Sequence, residues 1–146
     1  MDYRSAYKNT DYIVFEPEAL VLTVDQFSPK IEEILIKYNC KTAAFLTAWN
    51  PLSQVTDDKN NRAVQQQLAV DLHQLDVRVF EGIGKARDGD WPGEESFLVL
   101  GIERIVADQL AVKYNQYAWL WVQIANPVEL VMTRHFMNKS ADSKTL

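Results

Sequence analysis

Short apolar runs separated by polar segments dominate the chain, and they predict a protein built largely of strands. The clearest run is Ala43-Ala44-Phe45-Leu46. Four consecutive apolar residues without a helical stripe are typical of a strand that is buried on both faces. The same reasoning predicts seven strands in all, at positions 12–15, 19–24, 42–48, 77–81, 95–100, 117–124 and 128–133.

Three other segments repeat their apolar residues at helical spacing, at 29–39, 59–75 and 102–114. Ser28 is suited to cap the first helix, with Pro29 at its first position. Asp57 or Asp58 is suited to cap the second. We expect the buried stripe of the second helix to consist of Val64, Leu68, Leu72 and Leu75, with Gln65, Gln66 and Gln67 mostly off it.

The predicted order of elements is β-β-α-β-α-β-β-α-β-β. This order predicts an α/β or α+β fold, with three helices on a single mixed sheet of about seven strands, and differs from a doubly wound dinucleotide-binding domain. One domain is expected over residues 1–137, followed by a polar, frayed tail at 138–146. The longest irregular stretch is expected at 82–93, which holds four of the five glycines.

Composition narrows the classes of function. The chain has 146 residues and a formal net charge of -5, with its basic residues scattered, which argues against a nucleic-acid surface. No apolar run approaches the roughly 20 residues that span a bilayer. Cys40 is the single cysteine, and it suits a reducing cytoplasm. His73 and His135 are the two histidines, and without a paired ligand motif they predict neither a metal site nor a cofactor.

The polar end of the 42–48 strand is the first candidate site. Trp49 offers an apolar face to a ligand, and Asn50 offers a donor and an acceptor, before Pro51 ends the strand. A structural alternative is equally consistent with the pattern. Trp49 would then belong to the core, and Asn50 would stabilise the turn into the following loop.

A pair of carboxylates, Glu94 and Glu95, is the second candidate site. Strand alternation places them on opposite faces, so one can face a pocket while the other meets solvent. In a partly dry cleft beside Trp91, such an acid would have a raised pKa and could act as a general acid or base. The commoner role for such acids is structural, here an ion pair with Arg87 or Lys85.

Two further patterns carry weaker signals. Gly82-Ile83-Gly84-Lys85 lacks the spacing of a phosphate-binding loop, and no helix begins after it, although Lys85 and Arg87 could attract an anion. Trp119 and Trp121 share one face of a strand, which predicts core packing unless that face is open to a partner.

Several segments together resemble a family of short bacterial proteins known only as a domain of unknown function. The hallmark of that family is T-A-W-N-P followed by W-x-x-E-E-S. The resemblance covers about residues 7–133 and implies one domain in an intracellular bacterial setting, without an established activity. The residues that carry it are Tyr7, Thr10, Tyr12, Thr47, Ala48, Trp49, Asn50, Pro51, Ser53, Asn61, Leu68, Gly82, Gly84, Trp91, Glu94, Glu95, Ser96, Gln116 and Ala118.

These patterns lead to one hypothesis about function. A pocket for a small polar or anionic molecule, with catalytic capacity, is expected between the end of strand 42–48, the start of helix 59–75 and the 82–94 loop. Its expected residues are Trp49 and Trp91 as walls, Asn50, Ser53 and Asn61 as hydrogen-bonding groups, Glu94 or Glu95 as acid or base, and Arg87 or Lys85 as an anion contact. The alternative is a non-catalytic interaction module or a homodimer that uses a sheet edge or the tryptophan face.

Overall fold

A computed structural model describes residues 3–89 and 93–145, with side chains as far as residue 139. The described elements are α1 (Tyr3–Lys8), β1 (Thr10–Val14), β2 (Leu20–Leu22), α2 (Pro29–Lys37), β3 (Thr42–Leu46), a 3-10 turn (Pro51–Ser53), α3 (Asp58–His73), β4 (Arg78–Ala86), β5 (Glu94–Leu100), α4 (Arg104–Lys113), β6 (Ala118–Gln123), β7 (Glu129–Met132) and α5 (Arg134–Thr145).

The strands form one seven-stranded sheet in the order β2-β1-β4-β5-β3-β6-β7. Every strand pair in the described chain is antiparallel. The expected number of strands is therefore confirmed, but the expectation of a mixed sheet is wrong. Because the connections are hairpins and antiparallel crossovers, the fold belongs to the α+β side of the two predicted classes.

Helices cover both faces of this sheet, and strand alternation divides the core between them. Ala43 and Phe45 of β3 pack with α2 on one face, which we call the α2 face. Ala44 and Leu46 pack with α3 and α4 on the other, which we call the α3 face. This double coverage explains why β3 is apolar at consecutive positions.

The two predicted helix caps are confirmed. The Ser28 hydroxyl accepts a hydrogen bond from the Ile31 backbone N–H, with Pro29 at the first position of α2. The Asp57 carboxylate accepts one from the Asn60 backbone N–H at the start of α3. Each cap satisfies an N–H group that has no partner within its helix.

The prediction of three helices is wrong, because the described chain has five. The order of elements from β1 to β7 follows the predicted pattern, but α1 precedes it and α5 follows it. Both additional helices are polar in sequence, so no long apolar stripe marks them. α5 also runs through part of the segment that was expected to be a frayed tail.

The predicted irregular stretch at 82–93 is also wrong over its first half. β4 continues to Ala86, and β5 begins at Glu94. Gly82 lies inside the sheet, where a Cβ atom would approach the Ile13 carbonyl oxygen to 2.5 Å and the Phe45 ring to 3.0 Å. The glycine therefore permits close packing in a strand, a role that sequence alone does not distinguish from loop flexibility.

Candidate functional site

The turn that follows β3 has an unusual backbone. Asn50, Leu52 and Ser53 have φ angles of 48°, 55° and 57°. This left-handed region is strained for residues other than glycine, and more so for a bulky residue such as Leu52. Clusters of such residues are typical of functional sites, since the surrounding structure must hold them in place.

Asn61 on α3 holds this turn. Its side-chain Oδ1 accepts a hydrogen bond from the Asn50 backbone N–H at 2.8 Å, and its Nδ2 donates to Asn50 Oδ1 at 2.9 Å and to the Thr56 carbonyl at 3.0 Å. The Thr56 backbone N–H donates to the same Asn50 oxygen at 3.0 Å. Asn50 Oδ1 thus accepts two hydrogen bonds, and its amide nitrogen is the group left to act as a donor elsewhere.

Gln65, one turn further along α3, holds the backbone just before the turn. Its Oε1 accepts a hydrogen bond from the Ala48 N–H at 2.9 Å, and the side chain is buried. The prediction that Gln65 lies off the buried stripe is therefore wrong. Asn61, Gln65, Leu68 and Leu72 are the buried residues of α3, and the two amides face the irregular backbone after β3, which needs hydrogen-bonding partners.

Glu94 comes to the same place from β5. The β3–β5 pairing brings the first residues of β5 beside the end of β3, and Thr47 Oγ1 donates to the Glu95 carbonyl at 2.6 Å. In the sheet register Glu94 lies opposite Gly84, which in turn lies opposite Tyr12. Because Gly84 has no side chain, the Tyr12 ring packs over it, 3.6 Å from the position of a Cβ atom, on the α2 face that Glu94 shares.

The Glu94 carboxyl is a weaker acid than an ordinary glutamate side chain. Burial raises its pKa to about 7, and a hydrogen bond from the Asn50 side chain opposes the rise only in part. Burial has this effect because the charged carboxylate loses its hydration. Within the described residues no lysine or arginine forms an ion pair with Glu94. A carboxyl group with this pKa can both release and accept a proton at neutral pH.

Two tyrosines complete the surroundings of Glu94. Burial raises the pKa of Tyr7 to about 12; a hydrogen bond with Ser53 lowers it, and the Glu94 charge adds to the rise. Burial also raises the pKa of Tyr12, whose hydroxyl donates to the Tyr7 carbonyl at 3.1 Å. Both phenols therefore stay protonated at neutral pH and remain hydrogen-bond donors. Glu94, Asn50, Ser53, Tyr7 and Tyr12 are called the Glu94 centre below.

Several predicted residues lie elsewhere. Trp49 is 8% exposed, and its carbonyl accepts a hydrogen bond from Gln116 Nε2, so its indole is part of the interior. Arg87 forms an exposed ion pair with Asp11 at 2.7 Å, so it is not the ion-pair partner of Glu94. Lys85 is exposed. Trp91 lies outside the described residues.

Trp119 and Trp121 are buried at 4% and 7% exposure. Their rings pack edge to face against each other on the α3 face. The expected core packing is confirmed, since both indoles are covered.

A cavity does lie between α3 and the β4–β5 hairpin, close to where the sequence predicted one. It has a volume of about 430 Å³ and is lined by Glu95, Arg62 and Gln65 among others, but not by Trp49 or Glu94. The two candidate carboxylates therefore lie on opposite faces of the sheet, Glu94 on the α2 face and Glu95 on the α3 face.

Sequence reasoning assigned no role at the site to Tyr7, Tyr12 or Gln65. A signal for the tyrosines was present, since Tyr7 and Tyr12 belong to the motif that carries the family resemblance. The signal for Gln65 was weaker: it follows Asn61 by four residues and so shares its helix face.

Two features are absent from the described residues. No group of three or more His, Cys, Asp or Glu side chains there is arranged to hold a metal ion. None of the described helices combines the length and the apolar character needed to cross a bilayer.

Comparison with known proteins gives a family and no function. The family model described as "Protein of unknown function (DUF3293)" matches residues 46–119, slightly more than half of the chain. No curated protein and no solved structure matches significantly. The matched range contains Asn50, Asn61, Gln65 and Glu94, whereas Tyr7 and Tyr12 precede it. The chain belongs to the DUF3293 family of proteins of unknown function.

Proposed function

We propose that the chain binds a small polar molecule at the Glu94 centre and that Glu94 exchanges a proton with it. The observation that carries this proposal is a partly buried carboxyl with a pKa of about 7 beside a strained asparagine turn. General acids and bases work best when their pKa lies near the working pH. Perturbed acids in such surroundings are candidates for functional sites on physical grounds.

The neighbouring groups suit this role. Tyr7, which is hydrogen-bonded to Ser53, supplies a hydroxyl donor, and the Asn50 amide is held in one orientation by Asn61 and Thr56. A substrate with an exchangeable proton and an oxygen acceptor would match these donors and the Glu94 carboxyl. Hydrolysis and group transfer are the reaction classes that use such a set.

The proposal also includes the family hallmark and the cellular compartment of the protein. The T-A-W-N-P segment at 47–51 and the Glu94-Glu95-Ser96 segment both fall inside the matched range, which supports them as a hallmark of the family. A single cysteine supports a reducing compartment, and we place the protein in a bacterial cytoplasm.

A thermal-shift screen against a metabolite panel tests the proposal, with the wild type, Glu94→Gln and Asn50→Ala compared. A true ligand raises the melting temperature of the wild type, and the rise is lost in both variants. Glu103→Gln is the matched control, because it removes the same charge from an exposed residue outside the Glu94 centre. If every ligand that stabilises the wild type stabilises Glu94→Gln equally, the Glu94 centre has no role in binding.

A second candidate function, binding of another protein or of a second copy, is favoured by one edge of the sheet. β2 is one of the two edge strands of the described sheet, and the apolar side chains Phe15, Val21 and Phe27 near it are 48%, 48% and 50% exposed. Exposed apolar groups beside an unpaired edge are typical of interfaces. Sedimentation velocity tests the homodimer form: a dimer that Val21→Lys dissociates supports it, and a monomer at all concentrations contradicts it.

A further inference from the structure

The cavity on the α3 face is separate from the Glu94 centre. Its walls come from the first half of α3 and from the β4–β5 hairpin, with Ile83 opposite Glu95 and Glu81 opposite Phe97 in the register. These side chains point to the face opposite Glu94. The volume of about 430 Å³ lies within the range of small-molecule sites.

Gln65, which lines this cavity, has a buried donor without a partner in the described part of the chain. The residue lines the cavity, although only 6% of it is exposed, and its Nε2 has no hydrogen-bond partner among the described residues. The orientation of the amide is defined, because the Ala48 N–H requires Oε1 as its acceptor. A buried donor without a partner is costly to folding, and a ligand oxygen would satisfy it.

Charged groups of both signs surround the cavity. Arg62 contributes a cation from α3, and Glu81 and Glu95 contribute two carboxylates from the strands. None of the three forms an ion pair within the described part of the chain. The rim can therefore bind an ammonium group on the strand side and a carboxylate on the helix side.

Apolar surface completes the lining. Ile83 and Phe97 are partly buried in the wall, and Phe15 is exposed beside them. A ligand that only paired with the charged groups would leave this surface in contact with water. An apolar side group on the ligand would cover it and gain from the burial.

From these features we propose that the cavity binds a small zwitterion, an α-amino acid with an apolar side group. Its ammonium group pairs with Glu95 and Glu81. Its carboxylate pairs with Arg62 and accepts from Gln65 Nε2, and its side group packs against Phe97. This site goes beyond the proposed function, since none of the residues of the Glu94 centre contributes to it.

The test uses the full chain and the common amino acids as probes. Melting temperatures are measured with each amino acid at about 10 mM, where a dissociation constant near 1 mM gives a measurable shift. The strongest ligand is then compared by calorimetry with its decarboxylated amine and with its N-acetyl derivative. The site predicts that an apolar amino acid binds and that each analogue binds about tenfold more weakly or worse, because each loses one charge pair.

Surface variants locate the binding without disturbing the core. Arg62→Gln and Glu95→Gln are each expected to weaken binding about tenfold. Lys59→Gln and Glu103→Gln are the matched controls, since they remove the same charges from exposed positions that do not line the cavity. Both controls should bind like the wild type.

Two results would overturn the site: no amino acid raises the melting temperature, or the strongest ligand binds Arg62→Gln and Glu95→Gln as tightly as it binds the wild type. Glu94→Gln separates this site from the proposed function. It should keep amino acid binding unchanged, while it abolishes binding at the Glu94 centre.

Discussion

Replacing Glu94 by glutamine should stabilise the protein at alkaline pH and leave its stability nearly unchanged at acid pH. Glutamine has the shape of a protonated glutamate and can still accept a hydrogen bond from Asn50. The substitution therefore removes only the buried charge. A stabilising substitution at a partly buried polar position is the mark of a group that is retained for a reason other than stability.

The sign follows from the direction of the pKa shift. The pKa of Glu94 is about 7 in the folded protein, against 4.5 for the ordinary side chain that the unfolded chain presents. Below pH 4.5 the group is protonated in both states. As the pH rises to 7, the unfolded state releases its proton first, so the folded state loses stability, and above pH 7 the loss is complete.

The size of the effect is the difference in pKa multiplied by about 1.4 kcal/mol per pKa unit, which is roughly 3 kcal/mol for the wild type. Part of the charge is still hydrated, because the side chain is only partly buried. We therefore expect Glu94→Gln to gain about 2–3 kcal/mol at pH 8. For a chain of this length that gain corresponds to a rise of roughly 5–10 °C in melting temperature.

Urea denaturation of the wild type, Glu94→Gln and Glu95→Gln at pH 4.5 and pH 8 measures this difference. Taking differences between variants at each pH removes the contribution of all other titrating groups. Glu95→Gln should keep the wild-type pH dependence, since Glu94 is still present. If Glu94→Gln lowers stability equally at both pH values, the carboxylate is a structural group and the reasoning is wrong.

Three further predictions concern the supporting structure. Asn61→Ala should cost about 2–4 kcal/mol of unfolding free energy in urea denaturation, because it removes three hydrogen bonds of a buried amide, and backbone NMR shifts should change most around Asn50. Tyr114→Phe should cost roughly 1 kcal/mol of unfolding free energy at neutral pH, because it removes the 2.5 Å hydrogen bond to Asp71. Hydrogen bonds from Lys113 and from Tyr114 lower the pKa of Asp71, so the wild type should lose this contribution as the pH falls below about 4. The unfolding free energy of Tyr114→Phe should therefore depend less on acid pH. Gly82→Ala should lower the melting temperature by several degrees, since its Cβ atom meets backbone, and Gly84→Ala, whose Cβ atom has only ordinary contacts, is its matched control.

The parts of the fold that sequence predicts are those with a local physical cause. The double-sided burial of β3 appears as an unbroken apolar run, and the caps at Ser28 and Asp57 appear as side chains next to periodic segments. α1 and α5 lack such a cause within their own sequences. Tyr3 instead contacts Tyr117 and Phe136 edge to face, and such contacts between distant residues are invisible in a local pattern.

The candidate site divides in the same way. The position of Asn50 at the end of a strand, next to a proline, predicted it as a site residue. The structure brings Glu94 to Asn50 through the pairing of β3 with β5. The burial of Trp49 could not be predicted, because an aromatic residue at the end of a strand can line a pocket or belong to the hydrophobic core. The strand position of Gly82 could not be predicted either, because only the close approach of the Ile13 carbonyl oxygen shows why a side chain is excluded there. Whether these residues act on a ligand stays a prediction.

A direct NMR titration of the Glu94 carboxyl group is the most decisive measurement. The side-chain carboxyl carbon, assigned by comparison with Glu94→Gln, is followed from pH 3 to pH 9 in the folded protein. The proposed role of Glu94 predicts a midpoint near 7, with a matching change in the Asn50 side-chain amide signals. A midpoint near the ordinary value of 4.5 would contradict it, because a hydrated carboxylate has no special capacity to exchange protons at neutral pH.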